Sequence, residues 1–436
     1  MMARKLFRVP FHRGHVDFAL PQGMCGRAVR NRPFEPVSDI KQAVATALAQ
    51  PVNSPPLRKL ANKGATVCVV FTDITRDTPD NLLVPALLQE LLAAGVRQKD
   101  ITLLCGTGMH RPSTAEEKAA KLGDEVVAHY RVVDNAPEDP EMMVDLGCCK
   151  NGVPVVIHRA VVEADLVVAS GAVEPHQYAG YSGGAKTVAI GAAGKSLIAA
   201  THAPSMIERP GTRLGNLEGN TFQEVIREVG RLVGLRFIVN VVLNGDKKVI
   251  AVRAGEPEAT HRELVEVARH LYEVPLSKQF DVAVAGVGYP KDANIYQASR
   301  AASYLFFAPV PAVRQGGAII IPALTPEGAG EGPAEIAFLQ TMKAAKNMAS
   351  LIGQLRQGGY QAGVQRAFVM AKVLEKNDVI IAGTSTPDIV RQCHMTPAAD
   401  IEHALQISRK RLNRQDLEVL IVPHALQTLP HITQRS

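Results

Sequence analysis

The sequence predicts an α/β protein composed of two α/β domains with mostly parallel sheets and an active-site cleft between the domains. Apolar runs rich in valine and isoleucine alternate with stretches whose apolar residues recur at helical spacing, which is typical of helices packed on a parallel sheet. The length of 436 residues corresponds to roughly two or three domains at about 150 residues per domain. The alternating pattern restarts after residues 274–278, so we expect one domain over residues 1–275 and a second over residues 276–436.

Local signals in the first half predict several elements. The run Ala65–Phe71 is almost entirely apolar and predicts a buried strand. Helical spacing followed by a glycine predicts a helix over residues 80–94. Thr114 and Glu117 have the spacing of a capping box, which predicts that another helix starts there. The turn Asn244–Asp246 lies between two apolar runs and predicts a hairpin. The strands predicted in this half are 65–71, 101–104, 165–169, 235–243 and 249–252.

The second half repeats the alternation of strands and helices. A helix is predicted over about residues 260–271, directly before the proposed boundary. Beyond the boundary, short apolar runs bounded by glycine, proline or polar residues predict buried strands of a parallel sheet. These strands are 280–286, 318–322 and 378–382.

Composition and patterning exclude several classes of protein. No run of 18 or more uncharged apolar residues is present, so no membrane-spanning helix is predicted. Residues 1–13 mix basic and apolar residues without a continuous apolar stretch, so no secretory signal is predicted. The six cysteines contain no C-x-x-C pair, and we expect them to be reduced thiols. These features predict a cytoplasmic protein without a membrane partner.

The net charge of +6 is concentrated near the N-terminus, where residues 1–60 contain ten Lys and Arg against three acidic residues. A basic region of this kind can bind nucleic acid. Here, however, the basic residues are scattered among prolines and aliphatic residues rather than forming a stripe with stacking aromatics. We therefore expect a solvated surface that helps to attract anionic substrates, and no nucleic-acid partner.

Reactive side chains directly follow four of the predicted strands. Because the carboxyl ends of parallel strands meet at one edge of a sheet, loops at these ends converge on a common crevice. The residues in these loops are Asp73, Thr75 and Arg76; His110 and Arg111; His176, Lys186 and His202; and the segment Gly288–Asp292 with Tyr296, Gln297 and Arg300.

The glycine-rich segment 171–186 is the most informative of these loops. Its glycines permit close approach of a ligand to the backbone, and its free amides can hold an anion. A phosphate-binding loop of the form G-x-x-x-x-G-K-[ST] is excluded. The segment ending in Gly194–Lys195–Ser196 has alanine at position 189, where the first glycine is required, and Lys186 follows an alanine.

His110, His176 and His202 each lie in a loop after a strand and could together bind zinc. The sequence contains no H-E-x-x-H pair, which is the helical spacing that many zinc hydrolases show. A zinc-type hydrolase that uses these three histidines remains the alternative at this point.

Taken together, these segments resemble the lactate racemase family, whose members use a nickel-pincer nucleotide. This cofactor is a Ni(II) pyridinium-3,5-bisthiocarboxylic acid mononucleotide. The resemblance extends over about residues 10–330 and depends on the order and spacing of several motifs. The matching segments are Asp73–Arg76, Gly106–Arg111, Pro175–Lys186, Thr201–His202, Arg213–Asn220, Gly288–Asp292 and Tyr296–Gln297.

The resemblance implies a role for each matching residue. Lys186 matches the lysine that is covalently attached to the cofactor, and His202 matches the nickel ligand. A planar set of sulfur, carbon and imidazole donors suits Ni(II). His110 and His176 match the acid/base pair. The cofactor-binding residues that it implies are Asp73, Ile74, Thr75, Arg76, Lys186, His202 and Gln297, and the substrate-binding residues are Arg76, Gln297 and Arg300.

The implied activity is racemisation or epimerisation at C2 of a small 2-hydroxy acid. In this family a hydride moves reversibly to the cofactor, and the substrate passes through a transient 2-keto acid. Histidine suits both acid and base roles because its pKa of about 6.5 lies near neutral pH. The first domain would then bind the cofactor and carry out catalysis, and the second would contribute substrate contacts. Proteins that synthesise the cofactor are implied partners.

Arg300 departs from the family pattern, which has a lysine three residues after the position of Gln297. The two cations are not interchangeable, because arginine forms planar, bidentate contacts with carboxylates. The substrate is therefore expected to be a bulkier or doubly acidic 2-hydroxy acid, or a sugar acid, as readily as lactate. A non-catalytic carrier of the cofactor is a further alternative.

Overall fold

The computed structural model describes residues 5–358 and 363–432, which form twenty strands and eighteen α-helices. The strands are β1 (Leu6–Phe11), β2 (Gly14–Ala19), β3 (Cys25–Ala28), β4 (Val67–Thr72), β5 (Ile101–Gly106), β6 (Arg131–Asp134), β7 (Met143–Cys148), β8 (Pro154–His158), β9 (Leu166–Ala172), β10 (Pro175–His176), β11 (Gly180–Tyr181), β12 (Leu235–Leu243), β13 (Val249–Gly255), β14 (Glu273–Leu276), β15 (Phe280–Ala285), β16 (Val313–Pro322), β17 (Asp378–Ala382), β18 (Thr396–Ala398), β19 (Glu418–Val422) and β20 (Leu429–Ile432).

The helices lie between these strands along the chain. They are α1 (Ile40–Ala49), α2 (Leu57–Leu60), α3 (Asp80–Ala93), α4 (Ala115–Leu122), α5 (Asp124–His129), α6 (Arg159–Val162), α7 (Lys186–Ala189), α8 (Lys195–His202), α9 (Pro204–Ile207), α10 (Thr221–Leu232), α11 (Pro257–Tyr272), α12 (Ile295–Ala298), α13 (Arg300–Phe306), α14 (Pro333–Ala344), α15 (Met348–Gln357), α16 (Val364–Lys376), α17 (Pro387–Gln392) and α18 (Ile401–Leu412).

Two six-stranded sheets organise the chain. The first has the order β13-β12-β9-β4-β5-β6, and only its β12–β13 hairpin is antiparallel among the strands described. The second has the order β18-β17-β16-β15-β19-β3 and is parallel throughout. Every residue of β4 and of β15 is buried, as expected for central strands covered by helices on both faces. The predicted class, two α/β units with mostly parallel sheets, is confirmed.

The second unit includes a segment from the chain's N-terminus. Strand β3 forms the edge of the second sheet beside β19, although it precedes the whole first sheet in sequence. Strand β14, which spans the predicted boundary near residue 275, pairs with β20 close to the C-terminus. The N-terminal strand β3 therefore helps to build the second unit, which local patterns did not predict. The boundary itself stays a prediction.

Local signals located most of the central elements. The helix predicted over 80–94 is α3, and Thr114 and Glu117 form the predicted capping box. In it the Thr114 hydroxyl accepts from the amide of Glu117 at 3.2 Å, and the carboxylate of Glu117 accepts from the amide of Thr114 at 2.9 Å. The hairpin at residues 244–246 also forms. In the part of the chain that the structure describes, no helix is both long enough and apolar enough to cross a membrane.

A buried ion pair lies under the carboxyl end of the first sheet. Lys121 at the end of α4 approaches Asp80 at the start of α3 to 2.7 Å, and their side chains are 7% and 0% exposed. The Lys121 ammonium also donates to the carbonyl oxygens of Thr78, at 2.8 Å, and Arg76, at 3.1 Å. Thr72 donates to Asp80 at 2.6 Å. The loop from the end of β4 to the start of α3 is thus tied to a buried charged pair.

Replacing Lys121 with methionine should strongly destabilise the fold, because the Asp80 carboxylate would remain buried without its cation. We expect a loss of about 3–5 kcal/mol in the free energy of unfolding, measured by urea unfolding followed by circular dichroism. Lys195→Met is the matched control: the Lys195–Glu138 pair has a similar separation of 2.6 Å, but its side chains are 56% and 62% exposed. Exposed pairs contribute about 0–1 kcal/mol. If the two variants lost the same free energy of unfolding, the buried pair would contribute no more to stability than the exposed pair, and the prediction would be wrong.

Candidate active site

The loop after β4 presents Asp73 to the carboxyl edge of the first sheet. The Asp73 carboxylate accepts from the Thr75 hydroxyl at 2.6 Å and lies 2.6 Å from Nδ1 of His110. Burial raises the pKa of Asp73, but the hydrogen bonds from His110 and Thr75 outweigh burial, and the net pKa is lowered. Asp73 is therefore a carboxylate at neutral pH. Ile74 projects outward and is 44% exposed.

His110 lies in the loop after β5 and is oriented by Asp73. Since the carboxylate accepts, Nδ1 of His110 carries the proton, and a neutral ring has its lone pair on Nε2. This tautomer is assigned from the hydrogen bond. The His110 side chain is 53% exposed, so the ring is accessible to a small molecule. The arrangement is that of a carboxylate-oriented general base.

His176 lies on β10, after the central strand β9, and has the opposite proton placement. Its Nδ1 accepts from the backbone amides of Ala179, at 3.1 Å, and Tyr178, at 3.3 Å. A neutral His176 ring therefore carries its proton on Nε2. Burial, followed by the positive charges of Lys186 and Arg76, lowers the pKa of His176 well below its usual value. The ring is neutral at pH 7 and has an N–H group to donate.

The glycine-rich loop is shaped by close backbone contacts. Gly180 has a φ of +76°, and a Cβ there would lie 2.0 Å from the carbonyl oxygen of Asn216, so only glycine fits. The amide of Gly184 donates to the Asn240 side chain at 2.7 Å. His261 contacts the carbonyl oxygen of Ser182 at 2.9 Å. These contacts fix the path of the chain into α7, where Lys186 is the first residue.

Lys186 has the properties of a reactive amine. Its side chain is half-buried, and burial, together with the charge of Arg76, lowers its pKa to about 7. Among the described residues, no hydrogen bond or ion pair to its ammonium group is formed. The nearby carboxylates of Glu174 and Asp73 raise the pKa of Lys186, but this effect is smaller than the lowering by burial and Arg76. A substantial fraction of Lys186 is therefore an uncharged amine at neutral pH, which is the nucleophilic form.

His202 at the end of α8 is oriented as a metal ligand would be. Its Nδ1 lies 3.0 Å from the carbonyl oxygen of Ile198, which fixes the proton on Nδ1 and the lone pair on Nε2. The rings of Phe222 and Tyr178 meet His202 edge-on, with centroids 5.1 and 5.8 Å away. Burial lowers the pKa of His202 to about 4. The imidazole is thus neutral and rigidly held.

The second unit contributes cations to the same place. Arg300, the first residue of α13, donates to Gln297 at 3.5 Å, and its charge acts on the pKa of His176. Lys291, in the loop after β15, is half-buried, and burial and the charges of Arg300 and Arg76 lower its pKa. The structure therefore brings residues from the loops after β4, β5, β9 and β15 together, which was the sequence-based expectation.

Several neighbours of these residues were not predicted. Glu174 forms an ion pair with Arg76 at 3.7 Å, and Tyr178 and Phe222 pack around His176 and His202. Glu174 and Tyr178 lie two residues before and after His176 in the sequence, so their closeness to a candidate histidine could have identified them. Lys291, by contrast, lies in the segment Gly288–Asp292, which the sequence analysis included among the reactive loops, although the resemblance implied no role for it.

The three histidines do not form a shared metal site. Across residues 5–358 and 363–432, no group of three His, Cys, Asp or Glu side chains is arranged to bind a metal ion. His110 is instead directed towards Asp73, and Nδ1 of His176 is occupied by backbone amides. The histidine arrangement thus gives no support to a three-histidine zinc centre.

Comparison with known proteins identifies the family of the chain. Residues 11–215 match the model of the lactate racemase N-terminal domain, and residues 277–429 match that of the lactate racemase C-terminal domain. The lactate racemase of Lactiplantibacillus plantarum is 32% identical over 390 residues, which cover 88% of this chain and 90% of that protein. The lactate racemase of Thermoanaerobacterium thermosaccharolyticum is 28% identical over 428 residues, covering 97% and 98%.

Solved structures show the same relationship. The lactate racemase apoprotein from Thermoanaerobacterium thermosaccharolyticum aligns with a TM-score of 0.85 at 28% identity, covering 98% of this chain and 100% of that one. A Thermotoga maritima protein, at 20% identity and a TM-score of 0.64 over 86% and 96% of the two chains, shares the fold. The chain therefore belongs to the lactate racemase family and is an isomerase of the racemase class.

Proposed function

We propose that this protein is a racemase or epimerase of 2-hydroxy acids that inverts the configuration at C2 through a transient 2-keto acid. The observation that carries the proposal is the pair of histidines with opposite proton placement. His110 presents a lone pair at Nε2, and His176 presents an N–H group at Nε2. Inversion of a hydroxylated carbon requires one histidine to take up the hydroxyl proton and a second to return one, and in both rings Nδ1 is already engaged, so each would act through Nε2.

The residues around Lys186 fit the nickel-pincer nucleotide. Lys186 offers an uncharged amine for covalent attachment, His202 offers an oriented imidazole for nickel, and the segment Asp73–Arg76 with Gln297 would hold the remainder. When bound, this cofactor supplies a reversible acceptor for the hydride of C2. A neutral nitrogen donor beside sulfur ligands suits Ni(II). Proteins that make the cofactor are then required partners, and the predicted cytoplasmic location stays a prediction.

The chain's own residues would bind the substrate and move its hydroxyl proton. Arg76, Lys291 and Arg300 form a cationic surface for the carboxylate of the substrate. His110 would accept the hydroxyl proton at Nε2, while Asp73 stabilises the imidazolium that forms. His176 would return a proton from Nε2 to the opposite face in its imidazolium form, because a neutral ring that lost its Nε2 proton would become an imidazolate. The roles exchange in the reverse direction, because both rings are then in the complementary state.

The Asp73–His110 hydrogen bond also favours an enzyme over a non-catalytic carrier. A carrier needs Lys186 and His202 to hold its cargo, but it has no use for a carboxylate that fixes the tautomer of a half-exposed histidine. The zinc-type hydrolase alternative requires His110, His176 and His202 to converge on one ion, and the histidine arrangement gives it no support.

Replacing His110 or His176 with alanine should abolish racemisation and leave cofactor attachment intact. Losing one acid or base typically costs about 10²–10⁴-fold in rate. The measurement is chiral chromatography of a 2-hydroxy acid with protein produced alongside the cofactor-making enzymes, and intact mass reports loading. His129→Ala, which changes an exposed histidine, is the control. Near-full activity in either active-site variant would show that its acid/base role is wrong.

Asp73→Asn should lower kcat by about 10²–10⁴-fold, because an amide does not fix the His110 tautomer or stabilise the imidazolium. KM should change much less than kcat, since Asp73 is not proposed to touch the substrate carboxylate. Asp77→Asn in the same loop is the control, because Asp77 is 51% exposed and pairs with Lys247. A change confined to KM would contradict the orienting role of Asp73.

Lys186→Ala should eliminate the covalent adduct, because no other side chain is assigned to that bond. Intact mass and peptide mapping would detect the adduct on the wild-type peptide that contains Lys186, with nickel near one atom per chain. Lys195→Ala, which changes an exposed lysine nine residues away, should load normally. An adduct that survives in Lys186→Ala would sink the proposed attachment.

A further inference from the structure

A cavity of about 380 Å³ lies at the contact between the two units. The first unit contributes the end of α9 and the loop after it, and the second contributes the end of α13, the loop that follows, and part of α16. Its volume is in the range of about 300–1,000 Å³ that is typical of small-molecule sites. No described residue that lines it has a role in the candidate active site. Its charged lining residues are Glu208, Arg213, Lys372 and Lys376, and Phe307 and Phe368 are among its apolar ones.

Arg213 is held in place but keeps one edge of its guanidinium group free. Its Nη1 donates to the carbonyl oxygen of Thr212 at 2.8 Å and to those of Ile207 and Arg209 at 3.4 Å. The guanidinium carbon lies 5.7 Å from the centre of the Phe307 ring. Over residues 5–358 and 363–432, Nε and Nη2 of Arg213 form no hydrogen bond, and the residue forms no ion pair. The side chain is partly exposed and lines the cavity, so this edge is within reach of a ligand.

The charges around the cavity favour an anion. Glu208 accepts from Arg356 at 2.7 and 2.9 Å and from Lys372 at 3.0 Å. These contacts lower the pKa of Glu208, the hydrogen bond from Arg356 having the largest effect, and they already engage its carboxylate. Arg213 and Lys376, which is 42% exposed, add two further positive charges. An excess of one sign of charge in a concave site attracts ligands of the other sign.

The remainder of the cavity lining is largely apolar, so a bare inorganic anion would leave most of it unfilled. A ligand that buries apolar surface there gains binding free energy from the hydrophobic effect. The planar edge formed by Nε and Nη2 of an arginine matches the two oxygens of a carboxylate. The apolar residues that line the cavity are Ile207, Phe306, Phe307, Ala308, Pro309, Pro311 and Phe368.

We propose that this cavity is a second ligand site, which binds a carboxylate with an apolar body about the size of a phenyl ring. The carboxylate pairs with Nε and Nη2 of Arg213, and the apolar body packs against Phe307 and Phe368. The site is separate from the candidate active site and does not rest on the proposed function. The ligand contacts both units beside the point where the amide of Leu214 donates to the carbonyl oxygen of Phe307 at 3.0 Å, so its binding stabilises the contact between them.

The binding test is calorimetric titration of the full chain, produced alongside the cofactor-making enzymes, with 3-phenylpropionate as the probe. One site per chain is expected, with an affinity at least tenfold above that for acetate, which lacks the apolar body, and for 3-phenylpropanamide, which lacks the charge. Arg213→Met should weaken probe binding at least tenfold. Arg209→Met, which changes an exposed arginine four residues earlier, is the matched control. Equal affinities for the probe and its amide, or unchanged binding by Arg213→Met, would overturn the inference.

A second variant decides the question even if Arg213→Met folds poorly. Lys376→Glu reverses an exposed charge at the cavity and should weaken probe binding at least threefold, with an unchanged thermal midpoint of the ligand-free protein. Lys343→Glu, which reverses an exposed charge outside the cavity lining, should bind the probe as the wild type does. Equal probe affinities of Lys376→Glu and Lys343→Glu would contradict the proposed location.

A third variant distinguishes this cavity from the candidate active site, which also contains cations. Arg76→Met removes one of them, and the Arg76 side chain is 43% exposed, so the variant should fold. Its affinity for 3-phenylpropionate should equal that of the wild-type protein, because Arg76 does not line the cavity. A tenfold loss in Arg76→Met would place the probe in the active site and would overturn the inference.

Discussion

The buried Lys121–Asp80 pair is the constraint on which the geometry of the site depends. Asp80 accepts from Thr72 at the end of β4 and from Ser170 on β9, so a single carboxylate joins the ends of two neighbouring strands. Lys121 holds the carbonyl oxygen of Arg76 from the other side. A surface ion pair could not replace this one, because removing one partner of a buried pair leaves an uncompensated charge away from water.

This network reaches the reactive residues through a short series of contacts. The carbonyl oxygen of Ser170 accepts from the hydroxyl of Thr187 at 2.9 Å, and Thr187 directly follows Lys186. A second set of contacts leads from Lys121 to His110: the loop that Lys121 holds contains Asp73, which orients His110. The amine and the first histidine are thus positioned by one polar core rather than by separate loops. Preorganisation of this kind lets the protein orient reacting groups without rearrangement during the reaction.

Local patterns predicted five of the six strands of the first sheet, all but β6, and the loops that follow them. Such loops can be predicted because parallel strands place their carboxyl ends at one edge whatever the details of packing. Asp73, His110, His176 and Lys186 were selected as candidates in this way. Residues that act through long-range contacts were not. Strand β3 joins the second sheet by pairing with β19, near the other end of the chain, and Arg366 meets Gln177 across 189 positions. Local periodicity does not predict such contacts, because the sequences of the two contacting segments are those of an ordinary strand or an ordinary helix.

The two units contribute opposite charges to the candidate site: carboxylates come from the first unit and cations from the second. The first unit supplies the carboxylates of Asp73 and Glu174, and both are already engaged, with His110 and with Arg76. The second unit supplies Lys291 and Arg366, each of which lies near Arg300, and none of these three cations forms an ion pair with a carboxylate in the described chain. Like charges held together in a partly buried space favour binding of an anion there. The carboxylate of the proposed substrate would supply negative charge that balances these cations.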